Sequence, residues 1–417
     1  MARRSRNSFL DSLYVGALVL YVVAGMALTP FHGDESTTIY VSHDWYTLIV
    51  DRNLPAILYR DPPADPKAAT DQELRLLNGV VSKYSIGLMA SLTGIPAADL
   101  NEQWLWGADW AYNRDTGHMP GERLLLVARL TSTLMTALSV AVVFAIARRL
   151  GGSGPARVAA FLYASLPAVL LNGRRAMYEG ATLLAIALVV LIGLEVAGRR
   201  SSTRRWLVLG IVSGLALATK HSLLITVVPV FGVLIGLARR DLWRTAARTT
   251  GALAIAAGVF LILNPAWWST PLQVPREVLR LRQKLLADQV AYFGGYANAL
   301  DRIDALGDAQ YYEDQRGWPQ WIGSQIAAYE ASGLAGIHWG LLAYLSIPFS
   351  VLGLLSGPRS PGLVLLAGVS LFTVFAVFFL TPLPWQRYYL PLAAPVAVLC
   401  GLGVMSAWRP LWSKYAG

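Results

Sequence analysis

The chain has only one cysteine, Cys400, which lies inside an apolar run, so neither a disulfide framework nor a thiol metal site is available. Its five histidines are scattered without close pairs, which leaves no spacing for a dedicated zinc centre. Charge is scarce as well, at 14% of 417 residues, where a soluble domain carries about a quarter. Internal repeats and low-complexity linkers are absent. The net charge of +10 is not spread as a nucleic-acid surface would require, because the basic residues sit in short clusters at the ends of apolar runs. That distribution is the mark of membrane topology and excludes nucleic acid as a partner.

What the chain does have is apolar length. It is 55% hydrophobic, with 22 prolines and 37 glycines, and its apolar residues gather into runs near the roughly 20 residues needed to cross a bilayer. Ten candidate spans follow, at roughly 9–29, 122–147, 155–172, 180–197, 205–219, 221–238, 249–264, 337–356, 361–380 and 388–407. The first follows Arg3, Arg4 and Arg6 but is long and lacks a small-residue cleavage site, so it reads as a retained span rather than a signal peptide. The fifth and sixth meet at Thr219-Lys220-His221 without a turn signal, as short helices that need not each cross fully. A cytoplasmic N-terminus sends Arg148-Arg149, Arg199-Arg200 with Arg204-Arg205, Arg239-Arg240 with Arg244 and Arg248, Arg359, and Arg409 with Lys414 to one side. Both termini are then cytoplasmic. No charge is expected deep inside a span apart from Glu195, near a cytoplasmic end.

Two long segments fall on the outer face, about 30–121 and 264–337. Both are rich in Trp and Tyr, as interfacial segments are. Residues 73–92 suit amphipathic surface helices, and Pro275–Gln289 predicts a helix with Val278, Leu281, Leu285 and Leu286 on its apolar face. These segments are too small and too apolar for separate soluble domains, so residues 1–417 read as one all-α integral membrane domain.

The outer face also gathers the unusual polar residues. Asp34 and Glu35, beside Gly33 at the exit of the first span, can act as a general base toward a hydroxyl nucleophile, or can be solvated helix-end residues. Between the third and fourth spans stands Asn172-Gly173-Arg174-Arg175-Ala176-Met177-Tyr178-Glu179. A double arginine is disfavoured on that side, so something must compensate, either an anionic ligand or an Arg175–Glu179 pair four residues apart on one helix face. Before the last span, in Thr381-Pro382-Leu383-Pro384-Trp385-Gln386-Arg387-Tyr388-Tyr389-Leu390-Pro391, Arg387 can meet a phosphate with Tyr388 beside it, or snorkel within an aromatic belt. Lys83-Tyr84 and Lys220-His221 add further cations. Carboxylates and cations from distant segments on one face of an apolar protein mark a functional site.

In these residues the chain resembles the GT-C superfamily of polyprenyl-phosphate-sugar-dependent glycosyltransferases, with protein O-mannosyltransferases and aminoarabinose transferases among the most similar. The matching features are Asp34-Glu35, Arg174-Arg175-Ala176-Met177-Tyr178-Glu179 and Gln386-Arg387-Tyr388-Tyr389-Leu390-Pro391. The resemblance implies a GT-C-like bundle that transfers sugar, by inversion, from a polyprenyl-phosphate donor to a glycan, lipid or protein acceptor. Asp34 would be the leading base, with Glu35 supporting it and Glu179 as the second acidic residue. Lys83, Arg174 or Arg175, and Arg387 would face the donor phosphate with Tyr388. No cofactor is expected, and no metal ligand set is visible. Two departures stand out: Lys83 is followed by Tyr84-Ser85 rather than Pro-Pro, and the chain ends soon after its tenth run. The latter points away from lipid A and complex glycans as acceptors. The competing classes are a flippase of lipid-linked sugars, whose inverted repeats are missing here, and an inactive subunit of the same fold.

Overall fold

The computed structural model describes residues 2–198, 202–238, 241–296, 298, 300–302, 319–338, 340–381, 383 and 385–413. Arg199-Arg200, Arg239-Arg240, Lys414, Pro382, Pro384 and the middle of the second long segment lie outside the described residues. Among the described residues the chain is all helix, with no strand.

The first apolar run forms α1 (Ala2–Ala24), and the first long segment folds into α2 (Gly33–Tyr40), α3 (Pro66–Leu77) and α4 (Val80–Leu92). The central bundle follows as α5 (Glu122–Gly151), α6 (Ser153–Ser165), α7 (Pro167–Arg174), α8 (Glu179–Ala197), α9 (Thr203–Thr219), α10 (Leu224–Leu237) and α11 (Leu242–Leu263). The second long segment contributes α12 (Val274–Phe293) and α13 (Pro319–Ala331). The chain returns to the bundle as α14 (Ser346–Ser356), α15 (Pro361–Leu380) and α16 (Gln386–Ser413).

All ten apolar runs fold as helix, but they are not ten equal spans. Among the described residues five helices (α5, α8, α11, α15 and α16) are each long and apolar enough to cross a membrane, and the bent pair α6–α7 makes a sixth if counted as one span. The third run is broken because Pro167 holds Leu166 extended (φ −69°, ψ 122°), and the two helices diverge by 59°. The Ser165 carbonyl freed by that break accepts a hydrogen bond from the Ile337 amide at 2.8 Å, as buried backbone must find a partner at membrane depth. The seam between the fifth and sixth runs is real: α9 ends at Thr219 and Lys220 is extended (φ −161°, ψ 124°).

Interior packing relies on small residues. Ala156, Ala159, Ala160 and Ala164 of α6 are fully buried and let that helix sit between α5 and α16. Where lipid is as apolar as leucine, such close approach rather than water exclusion holds helices together. The two long segments meet each other: Leu76 and Leu77 of α3 pack with Val274, Val278 and Leu281 of α12 in one apolar cluster. The expected apolar face of α12 is thus spent on α3.

Glu195 is not the only charge inside an apolar run. Asp11 of α1 is buried and bound by Arg157 at 2.8 Å, Ser153 at 2.8 Å and Arg148 at 3.5 Å. Glu195 pairs with Arg149 and, at 3.5 Å, with Arg205. Arg129 lies two turns into α5, at the opposite end of the bundle. Each escapes a simple hydropathy reading because its charge is matched by another element in space, which a linear count of apolar residues does not register.

Candidate active site

At the bundle end opposite Asp11 and Glu195, five chain segments converge. They are the start of α2, the Arg175–Tyr178 link into α8, the α9–α10 seam, the middle of α12, and the first turn of α16.

The α2 N-terminus sets the first carboxylates. His32 caps it by accepting from the Asp34 amide through Nδ1 at 2.9 Å, and Glu35 closes the box by accepting from the His32 amide at 3.1 Å. A side chain at Gly33 would bring its Cβ within 2.8 Å of the Trp104 ring, so glycine is what lets that indole lie flat against the helix start. Residues adjacent on a helix diverge by about 100°, which follows from 3.6 residues per turn. Asp34 and Glu35 therefore meet different surroundings. Glu35 is 0% exposed and saturated: Arg129 Nε and Nη2 each donate to it at 2.7 Å, and the Ala176 amide donates at 2.9 Å. The Asp34 side chain stays 29% exposed, paired with Arg387.

Arg387 is in turn stacked over the Trp385 ring, 4.5 Å from its centroid, and Trp385 lies parallel to Tyr388 at 5.6 Å. Tyr388 lies within electrostatic reach of Arg387, Arg282, Asp34 and Glu179. Tyr178 likewise lies near Asp34, Glu179 and Asp44, and burial raises its hydroxyl far above the ordinary tyrosine value, so it stays protonated and does not act as a base. Glu179, 2% exposed, accepts from Lys220 Nζ at 3.1 Å. Gly79 lies directly on the α9 end, where a Cβ would come within 1.9 Å of the Thr219 carbonyl oxygen, and this brings α4 against the Lys220 seam.

Of the eight site residues expected from sequence, Asp34, Glu179, Arg387 and Tyr388 come together here. Lys83 does not open onto the site. Its ammonium is fully buried and donates to Asp44 at 2.6 Å, and Asp44 also receives two-pronged contacts from Arg75. Burial alone would raise the Asp44 carboxyl, but Lys83 and Arg75 overcome that and hold it well below the usual carboxylate range. Arg174 is enclosed too, donating to the carbonyls of Tyr21 and Val22 at 2.7 Å and to the Tyr329 hydroxyl at 2.9 Å. It ties the end of α1 to α13 and has no fork left for a phosphate. Arg175 donates through Nε to Pro30 at 3.2 Å, while its Nη2 is buried without a partner among the described residues. The expected Arg175–Glu179 pair is replaced by Lys220–Glu179.

Sequence reasoning missed Arg129, Asp44 and Arg282. Arg282 donates to the Leu77 carbonyl at 2.6 Å and faces Tyr178 and Tyr388. Its signal was available: position 282 continues the 278, 281, 285 stripe of α12, so an arginine sits on the helix's buried face. Among the described residues no three His, Cys, Asp or Glu side chains gather as a metal-ligand set.

Comparison with known proteins bears on the fold. The family model described as dolichyl-phosphate-mannose-protein mannosyltransferase matches residues 121–268. No curated protein matches the chain in sequence. Among solved structures, the chain is similar to ArnT from Cupriavidus metallidurans bound to undecaprenyl phosphate, with a TM-score of 0.57 at 13% identity over 97% of this chain and 61% of that one. It is also similar to the oligosaccharyltransferase AglB from Archaeoglobus fulgidus in complex with an inhibitory peptide and a dolichol-phosphate, with a TM-score of 0.55 at 14% identity over 98% and 51%. The chain thus spans about six tenths of the length of ArnT and about half that of AglB, with 61% and 51% covered. At such identities the likeness is one of fold. The chain has the fold of these GT-C glycosyltransferases, a likeness that extends over nearly its whole length.

Proposed function

We propose that this protein transfers a sugar, with inversion, from a polyprenyl-phosphate-linked donor to an acceptor hydroxyl on the non-cytoplasmic face of the membrane. The observation that carries the reading is the half-open Asp34 carboxylate, held beside Arg387 and Tyr388 while Glu35 is sealed away. The ArnT structure holds undecaprenyl phosphate and the AglB structure holds dolichol-phosphate, ligands of the same class as the proposed donor.

In the reaction the acceptor hydroxyl gives its proton to Asp34 as its oxygen attacks the anomeric carbon. The bond from that carbon to the phosphate oxygen breaks, and the polyprenyl phosphate leaves with the electron pair. Arg387 and Arg282 supply the cations for the growing phosphate charge, with Tyr388 donating beside them. Glu35 with Arg129 holds the α2 start in place, Arg174 ties α1 to α13, and Lys83 belongs to the Asp44 framework. Arg387 has two uses in this scheme. It neutralises Asp34 while the site is empty, and a donor phosphate competes for it and releases the carboxylate as a base.

The test is transfer of radiolabelled sugar from polyprenyl-phosphate donors by purified protein in lipid, wild type against Asp34→Asn. Turnover falling by about 10²–10⁴-fold with donor binding retained is the expected result. Movement of lipid-linked sugar between leaflets without any transfer would replace this reading with a flippase, and intact transfer by the variant would remove Asp34 as the base.

A further inference from the structure

Glu179 presents an unfinished hydrogen-bonding group. Its side chain is 2% exposed, Lys220 engages Oε1 at 3.1 Å, and Oε2 is buried with no partner among the described residues. A buried carboxylate oxygen without a donor is costly, and such exceptions call for an explanation in each case. The surroundings point to one. Tyr178 and Tyr388 each lie within electrostatic reach of both Asp34 and Glu179, so the two carboxylates share one neighbourhood. Next to Lys220 the His221 ring, packed against Phe260 and Trp267 at 5.8 and 5.9 Å between centroids, also keeps Nδ1 buried, with no partner among the described residues. Lys220 neutralises Glu179 and fixes its orientation, which leaves Oε2 as a directed acceptor rather than a free base.

We propose that Glu179 is a positioning and specificity-determining residue whose Oε2 accepts a hydrogen bond from one hydroxyl of the transferred sugar. The proposal rests on the glycosyl-transfer reading and adds a division of labour to it. Asp34, half-open and released by Arg387, handles the proton. Glu179, buried and tied to Lys220, grips the sugar. A site whose buried acceptor is matched to one hydroxyl rejects the analogue that lacks it, because the acceptor is then left unpaired.

The experiment starts from a panel of polyprenyl-phosphate hexoses and pentoses, from which the sugar that wild-type protein transfers fastest is chosen. Wild type and Glu179→Gln are then compared on that donor and on its set of monodeoxy analogues, with thermal stability measured in parallel. The expected result is a single deoxy position at which wild-type kcat/KM falls roughly ten- to hundredfold, the range for a hydrogen bond to a charged group. At that position alone the Glu179→Gln variant loses no further activity, although it is impaired on the parent donor. Equal impairment of the variant across all analogues would reduce Glu179 to a structural partner of Lys220, and unimpaired transfer would mean that only water completes Oε2. Either result overturns the proposal while glycosyl transfer stands. Transfer of no sugar in the panel by wild type would overturn both.

Discussion

In the structure Arg387 pairs with Asp34 and lies over Trp385; in the proposed reaction a donor phosphate would compete for it with a fork of oxygens that suits guanidinium geometry. Arg387→Ala should therefore lower kcat/KM by about 10²–10³-fold, as loss of one charge-stabilising donor does. Arg387→Lys, a point charge without the fork, should retain part of that activity with a raised donor KM. Arg174→Ala is the contrast. Its donors hold the carbonyls of Tyr21 and Val22, so its removal should cost about 1–3 kcal/mol for each carbonyl left bare. Steady-state kinetics beside thermal unfolding in lipid nanodiscs would separate the two arginines: a donor KM that rises in the Arg174 variant, with stability unchanged, would contradict the assignment.

Between elements, the main join outside the bundle is the Asp44–Lys83–Arg75 cluster, which pins the turn after α2 to both α3 and α4. Asp44 is the group to follow with pH. Its folded value is depressed below the ordinary value of about 3.9, so its stabilisation is complete above that value and drains away as pH falls through the folded one. Asp44→Asn leaves two buried cations without their anion and should destabilise by about 3–5 kcal/mol at pH 7. The gap from wild type should narrow on acidification below about pH 4, and a gap that stays constant down to pH 2 would refute the assignment. This cluster also marks what the sequence concealed. Helix positions were legible, because apolar runs and the 278, 281, 285 stripe repeat along the chain. The partner of a buried charge does not repeat, so nothing near Lys83 announced Asp44, 39 residues away along the chain. Nor could the pair Asp34-Glu35 be divided into an open carboxylate and a sealed one until the phase of α2 was fixed by its His32 cap. For the double arginine the sequence points to an anionic ligand or to Glu179, whereas in the structure its partners include backbone carbonyls of α1 and the turn after it.

Across the whole molecule, the two ends of the bundle treat charge differently. Around Asp34 nearly every cation is enclosed: Arg129 by Glu35, Lys83 and Arg75 by Asp44, Arg174 by carbonyls, Lys220 by Glu179. At the other end Arg148, Arg149, Arg157 and Arg205 pair with Asp11 and Glu195, and all four remain more than a third exposed. A surplus of accessible cations is the cytoplasmic signature, which supports the proposed placement of the Asp34 end on the far side. Cys400 is buried, at 4% exposure, and is the only cysteine, so the protein offers a quiet background for thiol labelling. Asp115→Cys, at an exposed position in the first long segment, should react with a membrane-impermeant maleimide on intact cells. Ser202→Cys, exposed at the start of α9, should react only after the membrane is opened. The reverse pattern would put Asp34 in the cytoplasm, where its donor would have to be a sugar carried on the inner leaflet, and the proposed reaction would have to be redrawn on that side.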